Sequence, residues 1–246
     1  MAGGRYNQST FAVCRENMSL DNLMDAIADQ GWYVWDDFLN PEQVQNLRSC
    51  MPQSWQGARI GRHEALQREV EIRSDKIQWL EEGMGQPVQD YLERMEQIRR
   101  EVNRHFFLGL FEYEAHFAKY EQGAFYQKHL DAFQGNESRK LTTVFYMNEH
   151  WSEEDAGELA MYDLNDTHLA TLAPLSGRLL VFLSERFPHE VLPTKAERVS
   201  IAGWFRVNGV TDNKLELQVR IARYCVALLK LCSTGQPLKF RRIWFR

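Results

Sequence analysis

The sequence predicts a mainly β chain with flanking helices, in which N-terminal helices pack outside a jelly-roll core. Two observations carry this. Up to residue 110 the longest apolar patterns fall at helical spacing. From Phe111 onward the texture changes to short strand-like runs. These are separated by turn signals at Gln122-Gly123, Gln134-Gly135-Asn136, Asp155-Ala156-Gly157, Leu164-Asn165-Asp166 and Ser176-Gly177. Many short strands at this spacing form the pattern of a jelly roll, one of the ways all-β architectures manage their edges.

Residues 1–18 read as a loose arm. Ser19 suits an N-cap for the run Leu20, Leu23, Met24 and Ile27, which Gly31 ends. Residues 32–39 read as a strand. Asn40-Pro41-Glu42-Gln43 supplies a cap, a proline at the first helical position and a glutamine that closes a capping box, so a second helix starts there. Residues 54–65 read as a loop and 71–80 as a strand. Val88, Tyr91, Leu92, Met95, Ile98 and Val102 place a long helix, ending near Gly109, with one face on the core. Helical spacing returns at 215–231, and the tail 239–246 is basic and aromatic. The expected organisation is therefore an arm (1–18), a support region (19–110), a jelly-roll core (111–208) and a C-terminal helix with a basic tail (209–246), forming one compact domain.

A chain of 246 residues with 44% apolar and 26% charged residues can build a sizeable core. The net charge of −5 comes with no dominant basic stripe, which disfavours a nucleic-acid partner. Cys14, Cys50, Cys225 and Cys232 form no CxxC, and free thiols in a reducing cytoplasm are the expectation. The start Met1-Ala2-Gly3-Gly4-Arg5 lacks an apolar signal core, and no run is long enough to span a membrane. The expected location is the cytoplasm, with no membrane partner.

Three side chains stand out: His129, Asp131 and, 58 residues later, His189. Two imidazoles and one carboxylate on three corners of a metal leave three corners open, the facial triad of non-haem Fe(II) oxygenases. On a strand, residues i and i+2 project to one face, so His129 and Asp131 can address one ion. The third ligand must come from a distant strand, and His189 sits where one should begin, after Phe187-Pro188. A His-x-Asp alone is weak evidence. His63, His105, His116, His150 and His168 read as surface or core histidines, and Glu190, a rival ligand, should point away from His189.

The second half of the pattern adds specificity. Arg198, Ser200, Ala202 and Trp204 share one strand face, with Val199 and Ile201 on the other, toward the core. Arg198 could be a surface ion pair, worth little. Facing the same cavity as three ligands, its planar fork instead suits a carboxylate held bidentately.

With these residues the chain resembles the 2-oxoglutarate and Fe(II)-dependent dioxygenases, and among them the prolyl hydroxylase group with the hypoxia-inducible-factor prolyl hydroxylases and their bacterial relatives. The resemblance runs over 72–205. It includes Ile72-Arg73-Ser74-Asp75-Lys76-Ile77-Gln78-Trp79, Tyr120-Glu121-Gln122-Gly123-Ala124-Phe125-Tyr126-Gln127-Lys128-His129-Leu130-Asp131, Leu141 to Asn148, Ala156-Gly157-Glu158-Leu159 and the stretch from His189 to Trp204. It implies a double-stranded β-helix core and Fe(II) held by His129, Asp131 and His189. It implies 2-oxoglutarate gripped by Arg198 with the Tyr146 hydroxyl as second donor, Tyr120 near the chelating end and Trp204 as a wall. O2 is then the second co-substrate and ascorbate an accessory reductant. Arg73, Asp75 and Arg139 match positions on or beside a mobile substrate-binding loop, where Asp75 and Arg139 could pair across the mouth and order the loop when substrate arrives.

The implied activity is hydroxylation, at the 4-position, of a prolyl residue in a protein such as a translation factor or a regulator, with succinate and CO2 as co-products and a connection to oxygen sensing. The chain departs from the family where Ala156-Gly157 replaces two glycines, at 57–69, in the N-terminal arm and after Val207. The rival readings are a nucleic-acid demethylase, an oxygenase acting on another side chain or a small molecule, and a non-enzymatic binding module. The intact ligand set argues against the last, because partner binding needs no open metal corners.

Overall fold

The local signals that start and stop helices act as written. The computed structural model describes residues 20–57, 72–81, 83–132 and 138–207. Helix α1 (20–29) stops because Gly31 adopts φ 90° and returns its N–H to the Ala26 carbonyl at 3.0 Å. Strand β1 (Trp32–Trp35) is shorter than the 32–39 expected, because Asp37 at φ 56° turns the chain out of the sheet. Helix α2 (Pro41–Ser49) carries the complete capping box: the Asn40 side chain accepts from the Gln43 N–H at 2.9 Å, and the Gln43 side chain accepts from the Asn40 N–H at 3.1 Å. Helix α3 (Gln86–Phe106) buries Val88, Tyr91, Met95, Ile98, Val102 and Phe106, the face its spacing announced.

The strands form two antiparallel sheets. The larger contains β1, β2 (Gln56–Gly57), β3 (Lys76–Trp79), β4 (Leu110–Tyr120), β6 (Arg139–Tyr146), β9 (Leu179–Leu183) and β11 (Arg198–Val207), in the order β1-β9-β6-β11-β4-β3-β2. The smaller is β5 (Tyr126–His129), β10 (His189–Val191), β7 (Leu159–Tyr162) and β8 (His168–Leu172), in that order. This is the jelly-roll arrangement of the double-stranded β-helix. The turn signals at 122–123, 155–157, 164–166 and 176–177 all fall between strands. Two expectations change. Gln56–Gly57, read as loop, adds an edge strand to β3, and the 71–80 strand shortens to Lys76–Trp79. Because β1, β2 and β3 join the large sheet, the support region and the core share one sheet across residue 110.

The period-2 alternation of β6 and β11 divides the molecule. Phe145 packs on Phe38 and Tyr91, with ring centroids 5.9 and 5.5 Å apart, and Val199, Ile201 and Phe205 are buried beside it. Burying each such side chain contributes about 1.5–3 kcal/mol. The Tyr91 hydroxyl meets the Tyr113 hydroxyl at 3.1 Å, and Tyr113 meets Thr143 at 2.8 Å, so the helix side keeps its polar groups satisfied. The alternate residues Thr142 and Val144 of β6, and Arg198, Ser200, Ala202 and Trp204 of β11, line a cavity that the small sheet closes.

Among the described residues no helix is long and apolar enough to cross a membrane. Cys50 is a free thiol. Cys14, Cys225, Cys232, His63, Ser19, the arm 1–18, the turn 134–136, the helix expected at 215–231 and the tail 239–246 lie outside the described residues.

Candidate active site

Antiparallel pairing of β5 and β10 sets His129 directly opposite His189. Asp131 lies just past the end of β5, in a bend rather than on the strand expected, yet on the same side. Its two carboxylate oxygens stand 3.6 Å from His129 Nε2 and 3.5 Å from His189 Nε2. The three ligand atoms lie within 4.8 Å of one another, close enough to meet one ion. Each imidazole faces a backbone carbonyl through Nδ1: His129 that of Gln127 at 2.8 Å, His189 that of Phe187 at 3.0 Å. A proton on Nδ1 makes both bonds and leaves both Nε2 lone pairs free for a metal. Burial and the neighbouring His129 push His189 down to about 4, so it is neutral near pH 7. Burial works to raise Asp131, but the two imidazoles and the Thr142 hydroxyl, at 2.8 Å, hold it well below the usual carboxylate range. Glu190 turns away and accepts from the Tyr162 hydroxyl at 2.6 Å.

Arg198 is 2% exposed and faces the same cavity. Its Nε donates to the Gly157 carbonyl at 2.9 Å and one terminal nitrogen donates to Ser200 at 3.2 Å. The guanidinium carbon lies 4.8 Å from the Tyr120 ring centre and 5.2 Å from that of Tyr146. Its other terminal nitrogen, the Tyr146 hydroxyl and the Trp204 indole nitrogen are all buried without a hydrogen-bond partner. A buried cation and a buried hydroxyl left unsatisfied side by side are costly, which points to an anion as the missing partner of Arg198 and Tyr146. The cavity measures about 550 Å³ and also takes in Ile77, His116, Leu159 and Val191.

At the mouth, Arg73 grips the Asp75 carboxylate with two bonds of 2.7 and 2.6 Å. Arg139 holds Glu114 at 2.8 Å and lies 3.7 Å over the Trp204 ring. In this structure Asp75 is held by Arg73 and Arg139 by Glu114, whereas the sequence suggested that the two pair with each other as substrate arrives. The Asp75 side chain is 0% exposed and fully used by its close neighbour Arg73. Trp79 is 41% exposed and packs on His116 at 5.2 Å and on Trp204 at 6.5 Å between ring centroids.

The matching family model, over residues 115–206, is described as the 2OG-Fe(II) oxygenase superfamily. A Pseudomonas putida prolyl-4-hydroxylase is 37% identical with a TM-score of 0.66; the match covers 77% of this chain and all of that one. The chain belongs to the 2OG-Fe(II) oxygenase superfamily. Human Egl nine homolog 1 is 27% identical over 201 residues, 76% of this oxygenase, and the match spans 46% of that protein's length. A prolyl hydroxylase from Trichoplax adhaerens, solved with a hypoxia-inducible-factor peptide fragment, is 23% identical with a TM-score of 0.67 and shares the fold; the match covers 86% of this chain and 96% of that one.

The family's cofactors are Fe(II) and 2-oxoglutarate with O2, and the residues fit them. The His-Asp-His set offers nitrogen and oxygen donors suited to iron, and the unpartnered donors of Arg198 and Tyr146 suit a carboxylate of the co-substrate.

Several residues of this oxygenase site escaped the sequence reading. Thr142 braces Asp131 and itself meets Ser184 at 2.9 Å. Strand alternation from Tyr146 would have placed Thr142 on the cavity face. His116 is buried between Trp79 and Trp204, where burial and Arg73 lower it to about 4. Ser200, placed by strand alternation on the face of Arg198, accepts a hydrogen bond from it, a contact the sequence did not announce.

The Ala156 departure from the family pattern has a structural cost. Ala156 sits at φ 52°, ψ −153°, a region that suits glycine alone. Gly157 follows at φ 78°, where a Cβ would lie 2.9 Å from Thr194 and 3.2 Å from the Arg198 side chain. Ala156→Gly is expected to stabilise the fold by about 1 kcal/mol, because relief of backbone strain outweighs the added chain entropy. Urea denaturation checks this, and a loss of stability would contradict it.

Proposed function

We propose that this chain is a cytoplasmic enzyme that hydroxylates a prolyl residue, at the 4-position, in a protein, with the support region (19–110) and the jelly-roll core (111–208) belonging to one catalytic domain. A translation factor or a regulator is the substrate type in this reading, and a part in oxygen sensing would depend on how its rate varies with O2. The observation that carries the reading is the buried guanidinium of Arg198, with one terminal nitrogen left without a partner, in one cavity with the His129–Asp131–His189 cluster. The prolyl specificity is supported by the likeness to the Pseudomonas putida prolyl-4-hydroxylase. The chain spans about half the length of the human Egl nine relative, so the choice of protein substrate is its own question.

In this reading His129, Asp131 and His189 hold Fe(II), with both Nδ1–H groups kept on backbone carbonyls so that each Nε2 stays a ligand. Bound Fe(II) with 2-oxoglutarate and O2 supplies the oxidising chemistry, with succinate and CO2 as co-products and ascorbate as accessory reductant. Arg198 and the Tyr146 hydroxyl take the distal carboxylate. Tyr120 borders the same pocket, and Trp204 walls it. The apolar lining of Ile77, Val144, Leu159 and Val191 keeps water away from the reacting centre. Arg73 and Arg139 stand at the mouth as peptide contacts, and Asp75 acts through Arg73.

The test is succinate formation from 2-oxoglutarate with Fe(II), with and without proline-containing protein, followed by mass spectrometry. A +16 Da mark on proline is expected. Arg139→Ala should slow that mark more than the uncoupled turnover of 2-oxoglutarate alone. A mark on lysine, asparagine or a nucleobase and never on proline would overturn the prolyl assignment.

A further inference from the structure

Of the three clustered ligands, His129 faces the cavity mouth. Its side chain is 19% exposed, against 6% for His189 and 5% for Asp131. His189 is held from behind, its ring edge-on to Phe182 at 4.8 Å. Asp131 is held by Thr142. His129 lies against Tyr126, ring on ring, with centroids 3.7 Å apart and planes 16° apart. On the Tyr126 ring also sits the Arg73 guanidinium, 4.4 Å from its centre. Arg73 is in turn fixed by its bidentate pair with buried Asp75. Backbone contacts tie the same pieces together: Arg73 bridges Tyr126, and Ser74 N–H donates to the Phe125 carbonyl at 3.1 Å.

We propose that Tyr126, clamped by the Arg73–Asp75 pair, is the positioning residue for the His129 imidazole, which makes the 73–75 segment at the mouth a part of the metal site. The proposal rests on the triad reading above. The bond to Gln127 fixes the ring about one direction, and the Tyr126 face fixes its tilt, so the two together aim Nε2 at the ion. Asp75 has a second consequence. It neutralises a guanidinium that would otherwise place an uncompensated positive charge near a bound dication. A peptide that engages Arg73 thereby touches a group in contact with the stack on a metal ligand.

The experiment uses the full chain without added co-substrate. Mn(II) affinity is read by electron paramagnetic resonance and ligand geometry by the visible absorption of Co(II). Tyr126→Leu should weaken Mn(II) binding about tenfold, as expected for loss of an outer support of a metal ligand, and should alter the Co(II) spectrum. Tyr126→Phe keeps the stack and should stay within about twofold of the wild type. Wild-type Mn(II) affinity and an unchanged Co(II) spectrum in Tyr126→Leu would overturn the proposal, whatever happens to its melting temperature. If Tyr126→Leu does not fold, the double variant Arg73→Gln with Asp75→Asn takes its place, with the same readouts and the same overturning result. His189→Ala separates the two readings. Unchanged Mn(II) binding there rejects the triad, whereas loss there with none in Tyr126→Leu rejects the positioning role alone.

Discussion

Replacing His189 with alanine is expected to abolish 2-oxoglutarate turnover and leave the fold standing. His189 is 5% exposed and neutral near pH 7, so its removal takes no ion pair from Asp131. Its removal deletes one of two nitrogen ligands, and His129 and Asp131 alone cannot fix an ion on three corners. The loss should exceed the ~10–100-fold typical of removing an outer-shell partner. Succinate production under saturating Fe(II) measures it, with circular dichroism to confirm the fold. His129→Ala and Asp131→Ala should behave alike, and unchanged turnover in His189→Ala would reject the ligand set.

Arg198→Ala should act on the co-substrate and spare the metal. The guanidinium braces itself on Gly157 and Ser200 and keeps one terminal nitrogen for a ligand. Losing a buried, charge-assisted partner costs about 2–5 kcal/mol. That corresponds to a rise of roughly 30- to 5,000-fold in the 2-oxoglutarate concentration required. Mn(II) or Fe(II) affinity should change little, because Arg198 touches none of the three ligands. Arg198→Lys should recover only part of the loss, since a single ammonium cannot both reach Gly157 and fork around a carboxylate. A wild-type 2-oxoglutarate requirement in Arg198→Ala would show that another group anchors the acid.

Much of this was legible in the sequence because it depends on short-range rules. The capping box at Asn40, the stop at Gly31 and the apolar face of α3 are encoded within a few residues each, and the structure follows them. The cavity face of β11 was equally readable, since Arg198, Ser200, Ala202 and Trp204 alternate with core residues. What escaped depends on which strands become neighbours. Tyr126 meets Arg73 only because the 73–75 segment docks on the start of β5, across some fifty positions of sequence. Asp75 was expected to reach Arg139. The nearer Arg73 takes the buried carboxylate, and Glu114, on β4 across the intervening strand β11, takes Arg139. Charge signs in a sequence give the candidates for pairing, and the fold decides which pairs form.

The most direct test of the account is an anaerobic titration of the protein with Fe(II) and 2-oxoglutarate, followed by visible absorption. An α-keto acid chelating Fe(II) gives a charge-transfer band, so the band reports both partners in one site. The account predicts a band that saturates stoichiometrically in the wild type, vanishes in His189→Ala and returns in Arg198→Ala only at much higher 2-oxoglutarate. No band in the wild type with both partners saturating, or an undiminished band in His189→Ala, would contradict the site described here.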